Sequence, residues 1–331
     1  MRVVQLSHVR GDRRVAVVED GHLRVLSGPK TVFALATAAL DARTSLRECA
    51  ARHLSLERID YDSAYTGMGE WRILPVVDHP DDPARLLVSG TGLTHRRSAD
   101  QRQSMHAADT APTDSLRMYE LGVEGGRPVR GSIGNAPEWF YKGNGTLLRG
   151  HNDALDVPPY AEDGGEEPEI AGVYLVDGAG VPRRLGMAVG NEFSDHALER
   201  RNYLYLASSK LRQSAVGPEL VLDPDFNDVT GEVAIERDGR VLWSRAIRTG
   251  EAAMCHSLEN MEHHHFKFEI HRRPGDLHVH YFGADAFSFG AGIVLRTGDV
   301  MCVEFQGFGR TLRNPVVVNE SPPRLVNALP I

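Results

Sequence analysis

Two glutamates at the start of an apolar segment have the spacing of metal ligands. Glu167 and Glu169 lie two residues apart, directly before and within the run Pro-Glu-Ile-Ala-Gly-Val-Tyr-Leu-Val at 168–176. If this run is a strand, alternate side chains point to one side and the two carboxylates lie close together. They repel each other unless a cation lies between them, and hard oxygen ligands select Mg²⁺, Mn²⁺ or Ca²⁺. A solvated acidic loop is the alternative, because residues 162–165 are also polar.

A third glutamate, Glu192, follows a second apolar run and precedes Ser194 and Asp195, either of which can cap a helix. It therefore stands at the end of a predicted strand, where its carboxylate could complete a metal site. Lys210 follows at the end of a predicted helical segment, shortly before Gly217-Pro218. A single lysine is normally a surface residue, so Lys210 matters only through the neighbours that the fold provides.

The elements that must position these side chains are mostly short strands separated by turn residues. Residues 1–80 predict a small N-terminal α/β domain, and residues 84–331 predict a larger, strand-rich domain that two helices interrupt, at 195–208 and 257–268. Since strands and helices do not alternate regularly, the pattern predicts an α+β fold. The polar stretch 98–115 has little apolar content, which predicts a mobile or gating segment rather than core.

The composition is that of a globular protein with a core, with 331 residues of which 41% are hydrophobic and 25% charged. The net charge is −8 and the arginines are mixed with acids, so no basic stripe indicates nucleic-acid binding. Three cysteines form neither a disulfide framework nor a zinc motif, which favours a reducing compartment. No stretch approaches about 18 apolar residues. We therefore expect a cytoplasmic protein without nucleic-acid or membrane partners.

The order of the chemical motifs resembles the fumarylacetoacetate hydrolase superfamily. The resembling motifs are, in chain order, Phe-x-Lys (140–142), Glu-x-Glu (167–169), Gly-Asn-acid (190–192), a lysine before Gly-Pro (210–218), Pro-Gly-Asp (274–276), Gly-Asp (298–299) and Gly-Phe-Gly-x-x-Leu-x-Asn-Pro (307–315). No single motif is specific, whereas the ordered set covers roughly residues 84–320. The resemblance implies a mixed β-roll of the superfamily's C-terminal type, preceded by a small cap domain, and a homodimer.

In such enzymes three carboxylates hold one Mg²⁺ or Mn²⁺, and these positions match Glu167, Glu169 and Glu192. Relatives usually have aspartate at the third position, so Glu192 is a departure whose extra methylene the site must absorb. Lys210 matches the family's active-site lysine. The resemblance implies that it stands beside the negative charge that develops on the substrate, or that it moves a proton if burial lowers its pKa.

The loop after the first strand of the large domain departs from the hydrolytic members of the superfamily. Ser98 and Gln101 stand where those members carry the His and Glu that activate water, and neither is a general base near neutral pH. His95 replaces a tyrosine and could partly compensate. This departure disfavours simple acylpyruvate hydrolysis and favours a reaction that needs no hydrolytic water.

These departures resemble a sugar-acid branch of the superfamily, which implies a small-molecule 2-keto acid substrate. The implied activity is Mg²⁺-dependent dehydration of a 2-keto-3-deoxy sugar acid, such as 2-keto-3-deoxy-L-arabinonate or 2-keto-3-deoxy-D-xylonate, to 2-oxoglutarate semialdehyde. Lys210 would take the C3 proton, and the C4 hydroxyl would leave with help from an acid. The candidate acids are Glu138, Asp153, Glu199 and His95, and the candidate substrate contacts are Arg96, Arg97, Lys142 and Gly283.

Two other functions stay open at this point. A C–C bond hydrolase of a 2,4-diketo acid would fit the same metal site, and the altered loop with Ser98 and Gln101 also fits a metal-binding protein without turnover, associated with sugar uptake. The run His263-His264-His265 could suggest zinc. Consecutive residues on a helix point about 100° apart, however, so one ion cannot readily take all three.

Overall fold

The computed structural model describes residues 1–106 and 112–331. The strands in this part of the chain form one sheet of 13 strands and a second sheet of five. Helices connect them without regular β–α alternation, so the prediction of a strand-rich α+β fold is confirmed. None of the helices in these two ranges combines the length and apolar character that a membrane crossing requires.

The N-terminal part is an antiparallel set of strands accompanied by three helices. Its elements are β1 (Arg2–His8), β2 (Arg13–Glu19), β3 (His22–Leu26), α1 (Val32–Asp41), α2 (Leu46–Arg52), β4 (Leu54–Asp60), α3 (Tyr61–Thr66) and β5 (Trp71–Ile73). The helices begin where side chains can bind the free backbone N–H groups of the first turn. Thr31 accepts from the N–H of Ala34 at the start of α1, and Ser45 and Glu48 form a capping box at the start of α2.

The remaining elements contain the motifs of the sequence analysis. They are β6 (Leu86–Gly92), α4 (Arg96–His106), α5 (Asp114–Gly125), β7 (Glu138–Asn144), β8 (Leu148–Arg149), β9 (Leu155–Val157), β10 (Pro168–Val176), β11 (Pro182–Asn191), α6 (His196–Arg201), α7 (Leu206–Lys210), β12 (Ser214–Val216), β13 (Leu220–Val221), β14 (Val229–Arg237), β15 (Arg240–Thr249), α8 (Leu258–Phe266), β16 (Leu277–Tyr281), β17 (Val300–Phe305) and β18 (Leu312–Val318).

Strand β1 joins the N-terminal strands to the rest of the large sheet. It pairs with β2 on one side and with β13 on the other, where Arg2 lies opposite Val221. From β13 the sheet continues through β11, β10, β16, β6 and β7. The large sheet is therefore continuous between the two parts of the chain, and the domain boundary proposed at residues 80–84 stays a prediction.

The centre of the large sheet brings four strand ends together. All nine residues of β10 are buried, as expected for a strand that is covered on both faces. Antiparallel pairing with β11 sets Glu169 opposite Gly190. Strand β16 is antiparallel to β10 and parallel to β6. As a result, the start of β10 and the ends of β11, β16 and β6 meet at one end of the sheet.

The second sheet, in the order β15-β14-β17-β18-β9, shares an apolar core with the large sheet. Ile170 and Met187 enter this core from the large sheet, and Val233 and Met301 enter it from the second. Burial of such side chains stabilises the fold by about 25 cal/mol per Å² of apolar surface. This core supports the strands β10 and β11 from one side.

The segment that was predicted to be mobile or gating, 98–115, is largely helical in its described residues. Helix α4 and the start of α5 occupy it, and Ser98, Ala99 and Arg102 of α4 are buried. Polar side chains can be buried in a helix when charged or hydrogen-bonding partners meet them there, which local composition does not reveal. Residues 107–111 of the predicted segment lie outside the described residues.

Candidate active site

Three carboxylates meet where the start of β10 lies beside the end of β11. Glu169 is the second residue of β10, Glu167 directly precedes that strand, and Glu192 directly follows β11. One oxygen of each lies within 4.8 Å of the others, and all three side chains are buried. Within residues 1–106 and 112–331, this is the one group of three or more Asp, Glu, His or Cys side chains with metal-binding geometry. The structure thus brings together the three residues that were predicted as metal ligands.

Two of these carboxylates keep an oxygen that has no hydrogen-bond partner in the described part of the chain. Glu169 accepts the backbone N–H of Gly283 on Oε2 at 2.6 Å, whereas its Oε1 and the Oε2 of Glu192 are buried without a partner among the described residues. Burial, and then the negative charges of Glu192 and Glu167, raise the pKa of Glu169 well above its ordinary value. A buried, unpartnered carboxylate oxygen is costly, and a divalent cation between these oxygens would remove that cost.

The third carboxylate, Glu167, is held by three donors on one oxygen. Lys210 Nζ lies 2.6 Å from its Oε1, His196 Nε2 lies 2.8 Å away and Arg102 Nη2 lies 3.2 Å away. Burial by itself would raise the pKa of Glu167, but the positive charges of Lys210 and Arg102 outweigh it and hold this pKa well below its ordinary value. Glu167 is therefore an ionised carboxylate with a fixed orientation.

Lys210, the last residue of α7, lies between the carboxylates. Its Nζ is 3.1 Å from Oε1 of Glu192 and 3.7 Å from Oε1 of Glu199, and it lies 4.8 Å from the centre of the Phe140 ring. Burial lowers the pKa of Lys210, but the neighbouring carboxylates outweigh burial and raise it above its ordinary value. The sequence alone did not identify the neighbours of Lys210, and the structure shows that its ion-pair partners are carboxylates.

A second buried lysine reaches the same cluster from β7. Lys142 is fully buried, its Nζ lies 3.4 Å from Oε1 of Glu192, and it donates a hydrogen bond to the carbonyl oxygen of Phe193. Burial, opposed by the charge of Glu192, lowers the pKa of Lys142 to about 8. Lys142 was predicted to contact substrate, and the structure places it against a carboxylate of the cluster.

Glu138, at the start of β7, lies opposite Gly92 of β6. Its Oε1 accepts a hydrogen bond of 2.8 Å from the hydroxyl of Tyr203. Burial, opposed by the charge of Arg102, raises the pKa of Glu138 to about 7. A Cβ atom at Gly92 would lie 1.8 Å from Glu138 Oε2, and one at Gly90 would lie 3.2 Å from Oε2 of Glu192. Gly92 therefore leaves room for the Glu138 carboxylate, whereas Gly90 leaves room first for the Phe140 ring and then for the Glu192 carboxylate.

His95 lies in the loop before α4 and contacts the hydroxyls of two threonines. Its Nδ1 lies 2.9 Å from the hydroxyl of Thr94, and its Nε2 lies 3.2 Å from that of Thr249. Burial, and then the charge of Arg97, lower the pKa of His95 to about 3. Its ring is consequently a neutral, hydrogen-bonded part of the interior near neutral pH.

Three other predicted residues are exposed and pair with groups outside the cluster. Arg96 binds Asp100 one helical turn away, with Nε 2.9 Å from Oδ1. Arg97 Nη1 lies 2.9 Å from Oδ2 of Asp285. Asp153 accepts a hydrogen bond of 2.8 Å from the backbone N–H of Gly150, which closes a turn. This turn lines a surface cavity that contains none of the cluster carboxylates.

The histidine run of α8 does not converge on one point. His264 Nε2 lies 3.0 Å from the carbonyl oxygen of Gly134, and His265 Nε2 lies 3.0 Å from Nδ1 of His278. The ring of His265 also stacks on His280 at 4.4 Å between centroids. Two members of the run therefore point to different partners, and His265 belongs to a buried cluster of imidazoles with β16.

Several residues in direct contact with the site were missed from the sequence. Arg102 binds both Glu167 and Glu199, with Nη1 2.7 Å from Oε2 of Glu199, and His196 contacts Glu167. Ser98, Ala99 and Arg102 form the buried face of α4, but the polar composition of this segment gave no sign that this face is buried. His196 lies four residues after the Gly-Asn-acid motif, but no pattern in the sequence around it predicted that its side chain contacts the site.

The geometry can be compared with that of known proteins, although no protein-family model matches the chain. A probable 2-keto-3-deoxyxylonate dehydratase of Haloferax volcanii is 29% identical over 226 residues, which cover 62% of this chain and 74% of that protein. A 2-keto-3-deoxyarabinonate dehydratase structure has a TM-score of 0.72 at 20% identity. A structure of 2-keto-3-deoxy-D-arabinonate dehydratase complexed with magnesium and 2,5-dioxopentanoate has a TM-score of 0.70 at 21% identity.

Both structural alignments cover 97% of this chain and 100% of the other chain. At these identities the structures establish a shared fold, and the sequence match adds a relationship over the greater part of the chain. The chain thus shares the fold of these dehydratases and is similar in sequence to one of them, and both likenesses support the resemblance of its ordered motifs to the sugar-acid branch of the fumarylacetoacetate hydrolase superfamily.

Proposed function

We propose that the protein is a divalent-metal-dependent hydro-lyase that dehydrates a 2-keto-3-deoxy sugar acid. The main support is the group of three buried carboxylates, in which Glu169 Oε1 and Glu192 Oε2 have no partner among the described residues. The sequence relative bears the name of a dehydratase of such an acid, and one structure of the same fold was solved with magnesium and 2,5-dioxopentanoate. The latter compound is 2-oxoglutarate semialdehyde, the product expected here.

Glu167, Glu169 and Glu192 would hold the cation, Mg²⁺ or Mn²⁺. When bound, such a cation polarises a 2-keto group and stabilises the negative charge that forms as a C3 proton leaves. The three carboxylates fit a divalent cation, because the two buried oxygens that have no hydrogen-bond partner among the described residues would then have the cation as their partner. The backbone N–H of Gly283 binds Oε2 of Glu169, which fixes the carboxylate and leaves Oε1 available.

Lys210 is the residue that we propose takes the C3 proton. It is buried, with Nζ 2.6 Å from Glu167 and 3.1 Å from Glu192. Burial favours the neutral amine, but the carboxylates outweigh burial and favour the ammonium form. Neutralisation of the carboxylate charge by a divalent cation would shift this balance towards the neutral amine, which is the form that can accept a proton.

Glu138 is the acid that we propose for departure of the C4 hydroxyl. A carboxyl group whose pKa is about 7 is partly protonated near neutral pH, as a general acid must be. The other candidates fit less well: Glu199 is bound to Arg102 and Ser209, His95 has a pKa of about 3, and Asp153 closes a turn elsewhere.

The predicted substrate contacts divide into two kinds. Lys142 and Gly283 bind cluster carboxylates, and we propose that they act next to the 2-keto acid end of the substrate. Arg96 and Arg97 are exposed at the start of α4 and are paired with aspartates. Their role in holding a carboxylate or hydroxyl of the substrate stays a prediction.

The reaction would remove a proton from C3 and hydroxide from C4, which leave together as water. A proton then moves from C5 to C3 as the C3–C4 double bond shifts to C4–C5, and the resulting C5 enol tautomerises to the C5 aldehyde as its hydroxyl proton moves to C4. We expect semialdehyde from 2-keto-3-deoxy-L-arabinonate or its D-xylose-derived isomer in the presence of Mg²⁺, and none in chelator. Pyruvate from an acylpyruvate, without semialdehyde, would instead establish the C–C hydrolase. Mg²⁺ binding without turnover of either substrate class would establish a metal-binding protein.

We further propose a homodimer in the cytoplasm. The three cysteines, Cys49, Cys255 and Cys302, are all unpaired thiols and buried, which fits a reducing compartment. Sedimentation equilibrium should give about twice the chain mass of 36.4 kDa. A single species at the chain mass would reject the dimer.

A further inference from the structure

His196, the first residue of α6, is fixed against the site by three contacts. Its ring is fully buried and stacks on Phe287, with 4.5 Å between centroids and 16° between planes. Its Nε2 lies 2.8 Å from Oε1 of Glu167. A Cβ atom at Gly165 would lie 2.4 Å from Nδ1, so the backbone there approaches the ring edge as only a glycine permits. The ring therefore has little freedom to turn.

These contacts select one tautomer of the neutral ring. Nδ1 is buried and has no hydrogen-bond partner among the described residues. A proton on Nδ1 would be a buried donor without an acceptor among the described residues, which is energetically unfavourable. A proton on Nε2 is instead donated to Glu167. The geometry thus assigns the Nε2–H tautomer, with its hydrogen bond directed at one carboxylate oxygen.

The hydrogen bond from His196 differs from those that the charged side chains of Lys210 and Arg102 donate to the same oxygen of Glu167. Lys210 is shared with Glu192 and Glu199, and Arg102 is shared with Glu199. Both carry positive charge, which opposes the entry of a divalent cation. The hydrogen bond of His196 Nε2 is directed at Glu167, so it orients this one carboxylate without being divided among others of the cluster. Hydrogen bonds of this outer kind commonly change metal affinity 10–100-fold.

We propose that His196 is a positioning residue, which holds the carboxylate of Glu167 in the orientation that binds the divalent cation. This inference rests on the proposed function in so far as Glu167 is a metal ligand. It assigns to His196 no contact with substrate and no proton transfer. Phe287 serves the same purpose indirectly, because its stacked ring keeps the imidazole plane in place.

The test compares two substitutions of His196 by their affinity for Mn²⁺, measured calorimetrically on the full chain. His196→Phe keeps an aromatic ring for the stack on Phe287 and removes the donor, so the dissociation constant should rise about 10–100-fold. His196→Gln should restore most of the affinity, because its side-chain amide N–H can donate to Glu167. The melting temperature in chelator should be similar for both variants.

The matched control is His151→Phe, a buried histidine that stacks on Tyr65 at 4.1 Å outside the cluster. It should leave Mn²⁺ affinity unchanged. Wild-type affinity in His196→Phe would overturn the positioning role and leave the proposed function intact, whereas absence of Mn²⁺ binding in the wild type would overturn both. If His196→Phe does not fold, Phe287→Leu decides, since it releases the ring but keeps the imidazole. Unchanged Mn²⁺ affinity in Phe287→Leu would then reject the proposal.

Discussion

The Nζ atom of Lys210 lies 2.6 Å from Oε1 of Glu167, and both side chains are buried. Burial disfavours each charge separately, but the pair, together with Glu192 and Glu199, keeps the pKa of Lys210 above its ordinary value and that of Glu167 below. This ion pair links the residue that directly precedes β10 to the last residue of helix α7.

Lys210→Met should abolish dehydration and destabilise the protein. Loss of one partner of a buried ion pair leaves the other charge uncompensated and typically costs about 3–5 kcal/mol. Arg102 and His196 still bind Glu167, so we expect the lower part of this range. Urea unfolding in chelator measures the effect, and Lys30→Met, at an exposed position, is the control. An unfolding free energy equal to that of the wild type would contradict the structural role of the pair.

Glu169→Gln should separate stability from metal binding. The neutral amide replaces a carboxyl group whose ionised form is disfavoured by burial and by Glu192 and Glu167, so the unfolding free energy in chelator should be at or above that of the wild type. Stabilisation by Mg²⁺, which reaches about 2.7 kcal/mol at 100 times the dissociation constant, should disappear in the variant. Thermal unfolding with and without Mg²⁺ tests both statements, and undiminished stabilisation by Mg²⁺ would remove Glu169 from the metal site.

Gly92→Ala should lower activity with little effect on folding. The new methyl group would meet Glu138 Oε2, the far end of a flexible side chain that can move aside. Displacement of a catalytic group by about 1 Å can cost up to about 100-fold in rate. Gly178→Ala is the control, because a Cβ atom there meets nothing within 4 Å. Equal kcat values for the two variants would argue against Glu138 as the acid.

The buried imidazoles predict a loss of stability in mild acid. Burial, and then neighbouring histidines, lower the pKa values of His278 and His280 to about 3. In the unfolded chain a histidine binds a proton near pH 6.5. Between about pH 6.5 and 3 the unfolded state therefore binds more protons, so stability is full above this window and falls as the pH falls, by about 1.4 kcal/mol per unit for each histidine.

Urea unfolding at several pH values between about 7 and 4 measures this slope. His278→Gln should reduce it by about 1.4 kcal/mol per pH unit, because one of the titrating groups is removed. His22→Gln, at an exposed position, should leave the slope unchanged. A stability that does not change over this range in the wild type would show that the cluster takes up protons in the folded state.

The local features of the site could be predicted because they depend on neighbours in the chain. The alternation of side chains in a strand brings Glu167 and Glu169 to one side, and an apolar run that stops at Asn191 leaves Glu192 at a strand end. The helix predicted over 257–268 is present as α8, and Ser257 caps it by accepting from the N–H of Asn260. Caps and periodicity act over a few residues, so they can be read without the fold.

Contacts between distant segments could not be predicted in this way. Arg102 and Glu167 are 65 residues apart, and they meet because a polar segment folds as the helix α4 over the end of the sheet. The imidazole cluster likewise combines α8 with β16 and β6. Neither set has a local pattern, because the energy that assembles it comes from burial and charge pairing after the strands have met.

The sequence by itself thus determined the class of chemistry, through the types and order of its acidic and basic motifs, and the strand-rich architecture, through its periodicity. The tertiary structure decided which of these groups share one buried volume. That choice settles which carboxylate oxygens lack partners and whether Lys210 meets acids or bases. The physical reason is that the cost of burying a charge depends on all the groups around it, which only the packed chain defines.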